Sequence, residues 1–123
     1  MAEVADRPLT FEDLVAWFDK GSKPASEWRV GAEHEKFVFH VADHSPVPYE
    51  PAGIRALLDG LTRFGWKPVS EAGHVIALER GKANVSLEPG GQFELSGAPL
   101  ETIHDICEET GQHLVEVKEV AGE

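Results

Sequence analysis

Short strand-like stretches separated by turn-forming residues fill much of the second half of the chain, and they constrain the fold most. Strands are predicted at 66–70, 74–80 and 83–87, with turns at Glu71-Ala72-Gly73 and Gly81-Lys82 between them. Such short turns join antiparallel strands, whereas parallel strands need a much longer crossover. The chain is therefore predicted to be an α+β fold in which helices cover one face of an antiparallel sheet.

Three helices are predicted around this sheet. The first begins after Thr10, with Asp13 as a capping-box partner, and ends at Gly21. The second has an apolar residue at every helical turn before Gly65: Ile54, Leu57, Leu58, Leu61 and Phe64. The third runs from about Pro99 towards Val120, and its apolar stripe is Leu100, Ile103, Ile106/Cys107, Thr110, Leu114 and Val117. Cys107 is expected to be a buried thiol because it lies on that stripe.

Length and charge limit the classes of protein to consider. The 123 residues suit one domain without an internal boundary. The 22 acids outnumber the 11 Lys and Arg residues, and the net charge of −11 argues against nucleic-acid binding. No apolar run approaches the roughly 20 residues of a membrane span. A single cysteine and an N-terminus without signal-peptide features predict a cytoplasmic location.

A strand-like stretch from Trp28 to Val41 carries two acids on one face. Side chains alternate between the faces of a strand, so Glu33 and Glu35 point the same way, roughly 6–7 Å apart. Like charges at this spacing repel, and the arrangement costs stability unless a cation lies nearby.

The stretch "SLEPGGQFELSG", Ser86 to Gly97, carries more oxygen-bearing side chains on one face. Glu88, Gln92 and Glu94 share strand parity. In a fully extended chain Glu88 and Glu94 would be about 20 Å apart. A tight turn at Pro89-Gly90-Gly91 would bring them closer, and the two glycines permit it.

If the two stretches lie side by side, four carboxylates line one cleft: Glu33, Glu35, Glu88 and Glu94. Mg²⁺ binds one or two carboxylates per ion, together with waters and substrate phosphates, and Mn²⁺ suits the same oxygens. The pattern predicts two or three such ions around a nucleoside triphosphate. A merely solvated polar face is the alternative that parity leaves open. Gln92 is a candidate hydrogen-bond partner for a substrate, or an ordinary polar strand residue.

Two segments resemble a known family. "RVGAEHEKFVF" (Arg29–Phe39) and "NVSLEPGGQFELSGAPLETIH" (Asn84–His104) closely resemble glutamate–cysteine ligase of the plant and proteobacterial type. The resemblance runs from about Thr10 to the end of the chain but covers only the first part of a protein several times longer. An N-terminal fragment or a truncated gene model is therefore expected. Val38 departs from the glycine expected there, on the opposite face from the acids.

The resemblance implies a function and a fold. The family uses ATP to join the γ-carboxylate of glutamate to the amine of cysteine through a γ-glutamyl phosphate, the first step of glutathione synthesis. Its fold is similar to the catalytic domain of glutamine synthetase, whose curved antiparallel sheet holds Mg²⁺, ATP and glutamate. Glutamates of the two motifs, which correspond to Glu33, Glu35, Glu88 and Glu94, are Mg²⁺ ligands in that picture.

The resemblance also bears on regulation and assembly. Members have a cysteine near the position of Cys107 that is similar to one half of a redox-responsive disulfide, whose partner this chain lacks. A homodimer is among the forms expected of the full-length protein.

Two other functions stay open. An autonomous acidic binding module would use the polar strand face for a partner, and a related carboxylate–amine ligase would use another amine. The fragment alone is expected to be catalytically inactive.

Overall fold

The computed structural model describes residues 7–122, which form three α-helices, five strands and two short 3₁₀ turns. The helices are α1 (Phe11–Gly21), α2 (Ile54–Leu61) and α3 (Ile103–Ala121), and the 3₁₀ turns are Ala25–Glu27 and Thr62–Phe64. The strands are β1 (Glu33–Lys36), β2 (Lys67–Glu71), β3 (His74–Arg80), β4 (Ala83–Glu88) and β5 (Gln92–Ser96). No helix within residues 7–122 is long and apolar enough to cross a membrane.

The five strands form one antiparallel sheet in the order β1-β5-β4-β3-β2. Strands β2 to β5 follow one another as hairpins. Strand β1 precedes α2 in the chain and pairs with β5. The predicted α+β class with an antiparallel sheet is therefore confirmed.

The turn between β4 and β5 forms where the glycines predicted it. Gly90 and Gly91 have φ angles of 82° and 78°, a region that costs glycine nothing. The Gly91 amide donates to the Glu88 carbonyl at 2.9 Å, which closes the turn. Glu88 pairs with Gln92 across the hairpin as a result.

The core lies between α2, α3 and one face of the sheet. Its members are Ile54, Leu57, Leu58, Leu61, Trp66, Val75, Leu78, Ala83, Val85, Phe93, Leu95 and Val120. The four α2 residues recur at helical spacing, and Gly65 follows in the left-handed conformation, both as predicted.

Several element boundaries differ from the prediction. Helix α2 ends at Leu61, and Phe64 lies in the 3₁₀ turn that follows it. The stretch from Trp28 to Val41 is a strand only at β1, because β5 offers just five residues to pair with; isolated bridges flank it at Val30 and Phe39. Helix α3 begins after Thr102, not at Pro99, because Thr102 and Asp105 form a reciprocal capping box. The same device starts α1 at Thr10 and Asp13, as predicted.

The buried side of α3 agrees with the predicted stripe at Ile106 and differs from it elsewhere. Its buried residues are Ile106, His113, Glu116 and Val120, while Ile103 and Cys107 are exposed. The prediction of a buried Cys107 thiol is therefore wrong. Polar His113 and Glu116 occupy the inward face because they contact the aromatic and charged side chains described below.

Candidate metal-binding face

The sheet register places the predicted acids on one face. Glu35 lies directly opposite Glu94, and Ser86 flanks Glu94 on its other side. Glu33 lies opposite Ser96, and Glu88 lies opposite Gln92. Because register and parity agree, Glu33, Glu35, Glu88, Gln92 and Glu94 share the sheet face that points away from the core, here called the carboxylate face.

The distances across this face follow from antiparallel geometry. The Cβ atoms of a directly opposed pair such as Glu35 and Glu94 lie about 4.5–5.5 Å apart. Glu88 and Glu94 are diagonal neighbours across the hairpin, at roughly 7–8 Å rather than the 20 Å of an extended chain. The turn thus brings these two acids together, as predicted.

Burial singles out Glu94 among the four acids. Its side chain is only 7% exposed, and the Ser96 hydroxyl donates to it at 2.6 Å. Glu33 and Glu35 are exposed, and Glu88 is half-buried. A buried carboxylate needs compensation for its lost hydration, and a cation bound beside it would supply that compensation.

The four acids of the carboxylate face do not surround a common point in this structure. Within residues 7–122 no group of three or more His, Cys, Asp or Glu side chains is already arranged around a common centre. Mg²⁺ needs only one or two protein carboxylates, since waters and phosphates complete its coordination. The opposed pair Glu35–Glu94 fits that requirement, whereas the metal role itself remains a prediction.

Gln92 stands at the first position of β5, half-buried and opposite Glu88. Its amide therefore lies on the carboxylate face, at the edge next to the glycine turn. That position is compatible with a hydrogen bond to a substrate held by the acids, and this role also remains a prediction.

Lys36 lies behind the sheet and not on the carboxylate face. Its ammonium group sits 5.5 Å from the centre of the Phe93 ring and donates to the His34 carbonyl at 2.7 Å. Burial lowers the pKa of Lys36 to about 8, against a smaller opposing influence of Glu94. Lys36 thus lies on the core face of the sheet, and a phosphate bound by the acids on the opposite face would be out of its reach.

A buried charged cluster between the sheet and α3 was not predicted. The Glu116 carboxylate is 3% exposed and accepts hydrogen bonds from Arg80 at 2.8 Å, from the Trp66 indole at 2.9 Å and from Gln112 at 3.1 Å. The Arg80 guanidinium also lies 4.1 Å from the Trp66 ring centre. Burial alone would raise the pKa of Glu116, but these hydrogen bonds hold it below its ordinary value.

His113 lies beside this cluster without a hydrogen bond of its own. The imidazole is fully buried, and neither ring nitrogen has a partner among the described residues. The ring stacks on Phe93 at 5.9 Å and meets Trp66 edge-on at 6.2 Å. Burial, and after it the Lys36 charge, lowers the pKa of His113 to about 4.

His113 is expected to make stability fall in mild acid. Between the ordinary pKa of 6.5 and about 4, the unfolded chain binds a proton at this position and the folded chain does not. The free energy of unfolding should therefore decrease by up to about 3 kcal/mol as the pH falls through that window. Urea unfolding from pH 7.5 to 4 measures it.

Other groups titrate in the same range, so the comparison needs matched variants. His113→Met should flatten that part of the profile, whereas His104→Met, at an exposed position on the same helix, should leave it unchanged. Equal pH slopes for His113→Met and the parent chain would show that His113 is not the responsible group.

Sequence reasoning missed this cluster because it treats a buried surface as apolar. One signal was available: Arg80 shares strand parity with Leu78, which places its side chain on the core side of β3. Its partner Glu116 is 36 residues away, and no local pattern links the two.

Comparison with known proteins places these features in a family. The profile of glutamate-cysteine ligase family 2 (GCS2) matches residues 29–123. The chain is 53% identical over 123 residues to "Glutamate--cysteine ligase, chloroplastic" of Nicotiana tabacum, which covers 99% of this chain and 23% of the relative. It is 54% identical over 117 residues to "Glutamate--cysteine ligase A, chloroplastic" of Oryza sativa subsp. japonica, which covers 94% of the chain and 23% of the relative.

These relatives contradict one prediction and show how much of their length this chain spans. The prediction of a cytoplasmic location is wrong, because the tobacco, rice and Arabidopsis thaliana relatives are all named chloroplastic. A single cysteine indicates a reducing compartment but does not say which one.

The chain spans about a quarter of the length of these relatives. The profile match covers well over half of the chain, and the chain belongs to glutamate-cysteine ligase family 2.

Proposed function

We propose that this chain supplies the metal-binding face of an ATP-dependent glutamate–cysteine ligase. The observation that carries the proposal is the opposed pair of Glu35 and the buried Glu94, with Glu33 and Glu88 on the same face. The family membership says which reaction such a face serves, since the relatives are named glutamate–cysteine ligases.

The chemistry matches a row of carboxylates. ATP would phosphorylate the γ-carboxylate of glutamate, and the amine of cysteine would then attack that carbonyl and release phosphate. Divalent cations bound here would neutralise the charge on the phosphoryl oxygens and align donor with acceptor. Glu35 and Glu94 would hold the ions on the sheet, Glu33 and Glu88 would extend the site along the strands, and Gln92 would hydrogen-bond a substrate.

The phosphate-binding cations would come from other parts of a longer domain. Lys36 lies behind the sheet, and Lys67, which shares the parity of the carboxylate face, stands on β2, three strands and about 14 Å from β5. The five strands would then be part of a larger sheet similar to the catalytic domain of glutamine synthetase. Residues 1–123 would be one portion of that domain, without an internal boundary.

A chimera tests the proposal. Residues 1–123 replace the matched segment of the tobacco relative, and formation of γ-glutamylcysteine is followed with ATP, glutamate, cysteine and Mg²⁺. Turnover that requires all four components supports the proposed role. A folded but inactive chimera would favour a binding module, and turnover with a different amine would favour a related ligase.

The chain by itself is expected to be inactive. Incubated with ATP, glutamate, cysteine and Mg²⁺, it should release no phosphate above the background without protein. The reason is that Lys36 and Lys67, the two lysines considered above, do not lie beside the acids to bind a triphosphate. A malachite-green phosphate assay with the active chimera as the positive control measures this. Phosphate release from residues 1–123 alone would show that the site is complete.

A further inference from the structure

Helix α1 is well formed, yet the rest of residues 7–122 buries none of its side chains. Its N-terminus is closed by the Thr10–Asp13 capping box, and Arg7 binds Asp13 through two hydrogen bonds of 2.6 and 2.7 Å. No residue of the helix is buried, and Phe11 and Phe18 are 75% and 78% exposed. Isolated helices of this length are marginal in water, so an 11-residue helix without tertiary burial is expected to gain stability by packing on a partner.

The exposed apolar residues of α1 form one continuous face. Phe11, Leu14, Val15 and Phe18 follow the i, i+3, i+4, i+7 spacing that aligns side chains along one side of a helix. These four residues are called the α1 apolar face. Glu12 and Asp19 border it on one side, whereas Lys20 lies on the opposite side of the helix.

Exposure of large apolar side chains is concentrated at this end of the chain. Among the described residues, eleven of the fourteen exposed large hydrophobics precede residue 42. The eleven are Leu9, Phe11, Leu14, Val15, Trp17, Phe18, Trp28, Val30, Phe37, Phe39 and Val41. Soluble proteins rarely leave an apolar patch of more than a few hundred Å² uncovered unless it meets a partner.

Two observations bear on the choice of partner. The chain spans 23% of the tobacco relative, and the similarity extends over 99% of this chain, so α1 belongs to the family protein and is not an unrelated tail. A second copy of the 123-residue chain is a less favourable partner, because each copy carries a net charge of −11 and the two would repel.

We infer that the α1 apolar face docks on the part of the ligase polypeptide that lies outside the matched residues. This inference rests on the proposal that the chain is a portion of a longer ligase domain. The surface that receives α1 is an apolar groove, and Lys or Arg residues on the rim that faces Glu12 and Asp19 complement its charge.

Cysteine labelling tests the docking directly. Phe18→Cys and Lys20→Cys are each made together with Cys107→Ser, both in the 123-residue chain and in the tobacco chimera. In the chain alone, both cysteines should react with a maleimide at similar rates, since both positions are exposed. In the chimera, labelling at position 18 should slow at least about tenfold, because it then needs local opening of the interface, while position 20 stays reactive.

Two results would overturn the inference. Equal labelling rates at position 18 in the chimera and in the chain alone would show that no further polypeptide covers the face. Protection that appears in the 123-residue chain as its concentration rises would assign the face to a second copy. Phe11→Cys, at the other end of the same face, repeats the test if Phe18→Cys fails to fold in the chimera.

The readout does not depend on catalysis. Circular dichroism establishes that the chimera is folded, and protection at position 18 in a folded chimera supports docking whether or not the chimera turns over. A protected but inactive chimera would therefore count against the proposed function and not against the docking of α1.

Discussion

Replacing Glu94 with glutamine is expected to lower ligase turnover of the tobacco chimera at least about 100-fold, equivalent to about 2.7 kcal/mol of transition-state stabilisation. The change keeps the size of the side chain and its hydrogen bond with Ser96, but it removes the charge of the one buried acid on the carboxylate face. Glu35→Gln should have an effect of the same order because Glu35 is the directly opposed carboxylate. Initial rates at saturating ATP, glutamate and Mg²⁺ measure both.

Glu27→Gln is the matched control for these variants. Glu27 is an exposed acid in the 3₁₀ turn before β1, away from the carboxylate face, and its removal should leave the rate nearly unchanged. Near-parental rates for both Glu94→Gln and Glu35→Gln would remove the basis of the metal assignment.

Glu116→Ala is expected to destabilise the 123-residue chain by about 3–5 kcal/mol. The substitution removes the carboxylate that accepts from Arg80, Trp66 and Gln112, and it leaves the half-buried Arg80 charge without its carboxylate partner. An unpaired charge of this kind costs more than the pair itself contributes. Urea unfolding at pH 7.5, followed by circular dichroism, measures the change.

Glu119→Ala is the control for Glu116→Ala, because it removes an exposed ion pair from the same helix. Glu119 binds Arg63 at 3.1 Å, but its side chain is 58% exposed, and surface pairs contribute no more than about 1 kcal/mol. A loss for Glu116→Ala as small as that for Glu119→Ala would show that the buried cluster is not a main source of stability.

The parts of the structure that depend on local rules could be predicted from sequence. Strand parity placed Glu33 with Glu35 and Glu88 with Glu94, and the two glycines after Pro89 marked the turn that joins their strands. The capping box at Thr10 and the helical spacing from Ile54 to Leu61 are local in the same sense.

The parts that depend on distant contacts could not be predicted. The length of β1 is set by its partner β5, about 60 residues later, so the strand-like composition around Glu33 overestimated it. The inward face of α3 carries His113 and Glu116 because Trp66, Arg80 and Phe93 surround them, and the apolar stripe gave no sign of this. Cys107 is exposed for the same reason, because the side of α3 that carries His113 and Glu116 faces the sheet.

The redox role of Cys107 stays a prediction. The thiol is exposed, so it is accessible to an oxidant or to another cysteine, but nothing among the described residues identifies a partner. Exposure alone does not make a cysteine reactive.

Binding of divalent cations to the carboxylate face is tested by locating Mn²⁺ on the 123-residue chain. Substoichiometric Mn²⁺ is added to the ¹⁵N-labelled chain, and paramagnetic broadening of each amide signal is measured by NMR. An acidic chain with a net charge of −11 attracts cations generally, so the position of the broadening is the informative quantity. We expect the strongest broadening to centre on Glu35 and Glu94, to be displaced by excess Mg²⁺, and to disappear in Glu94→Gln. Broadening spread over the acids of α1 and α3, and unchanged by Glu94→Gln, would contradict it.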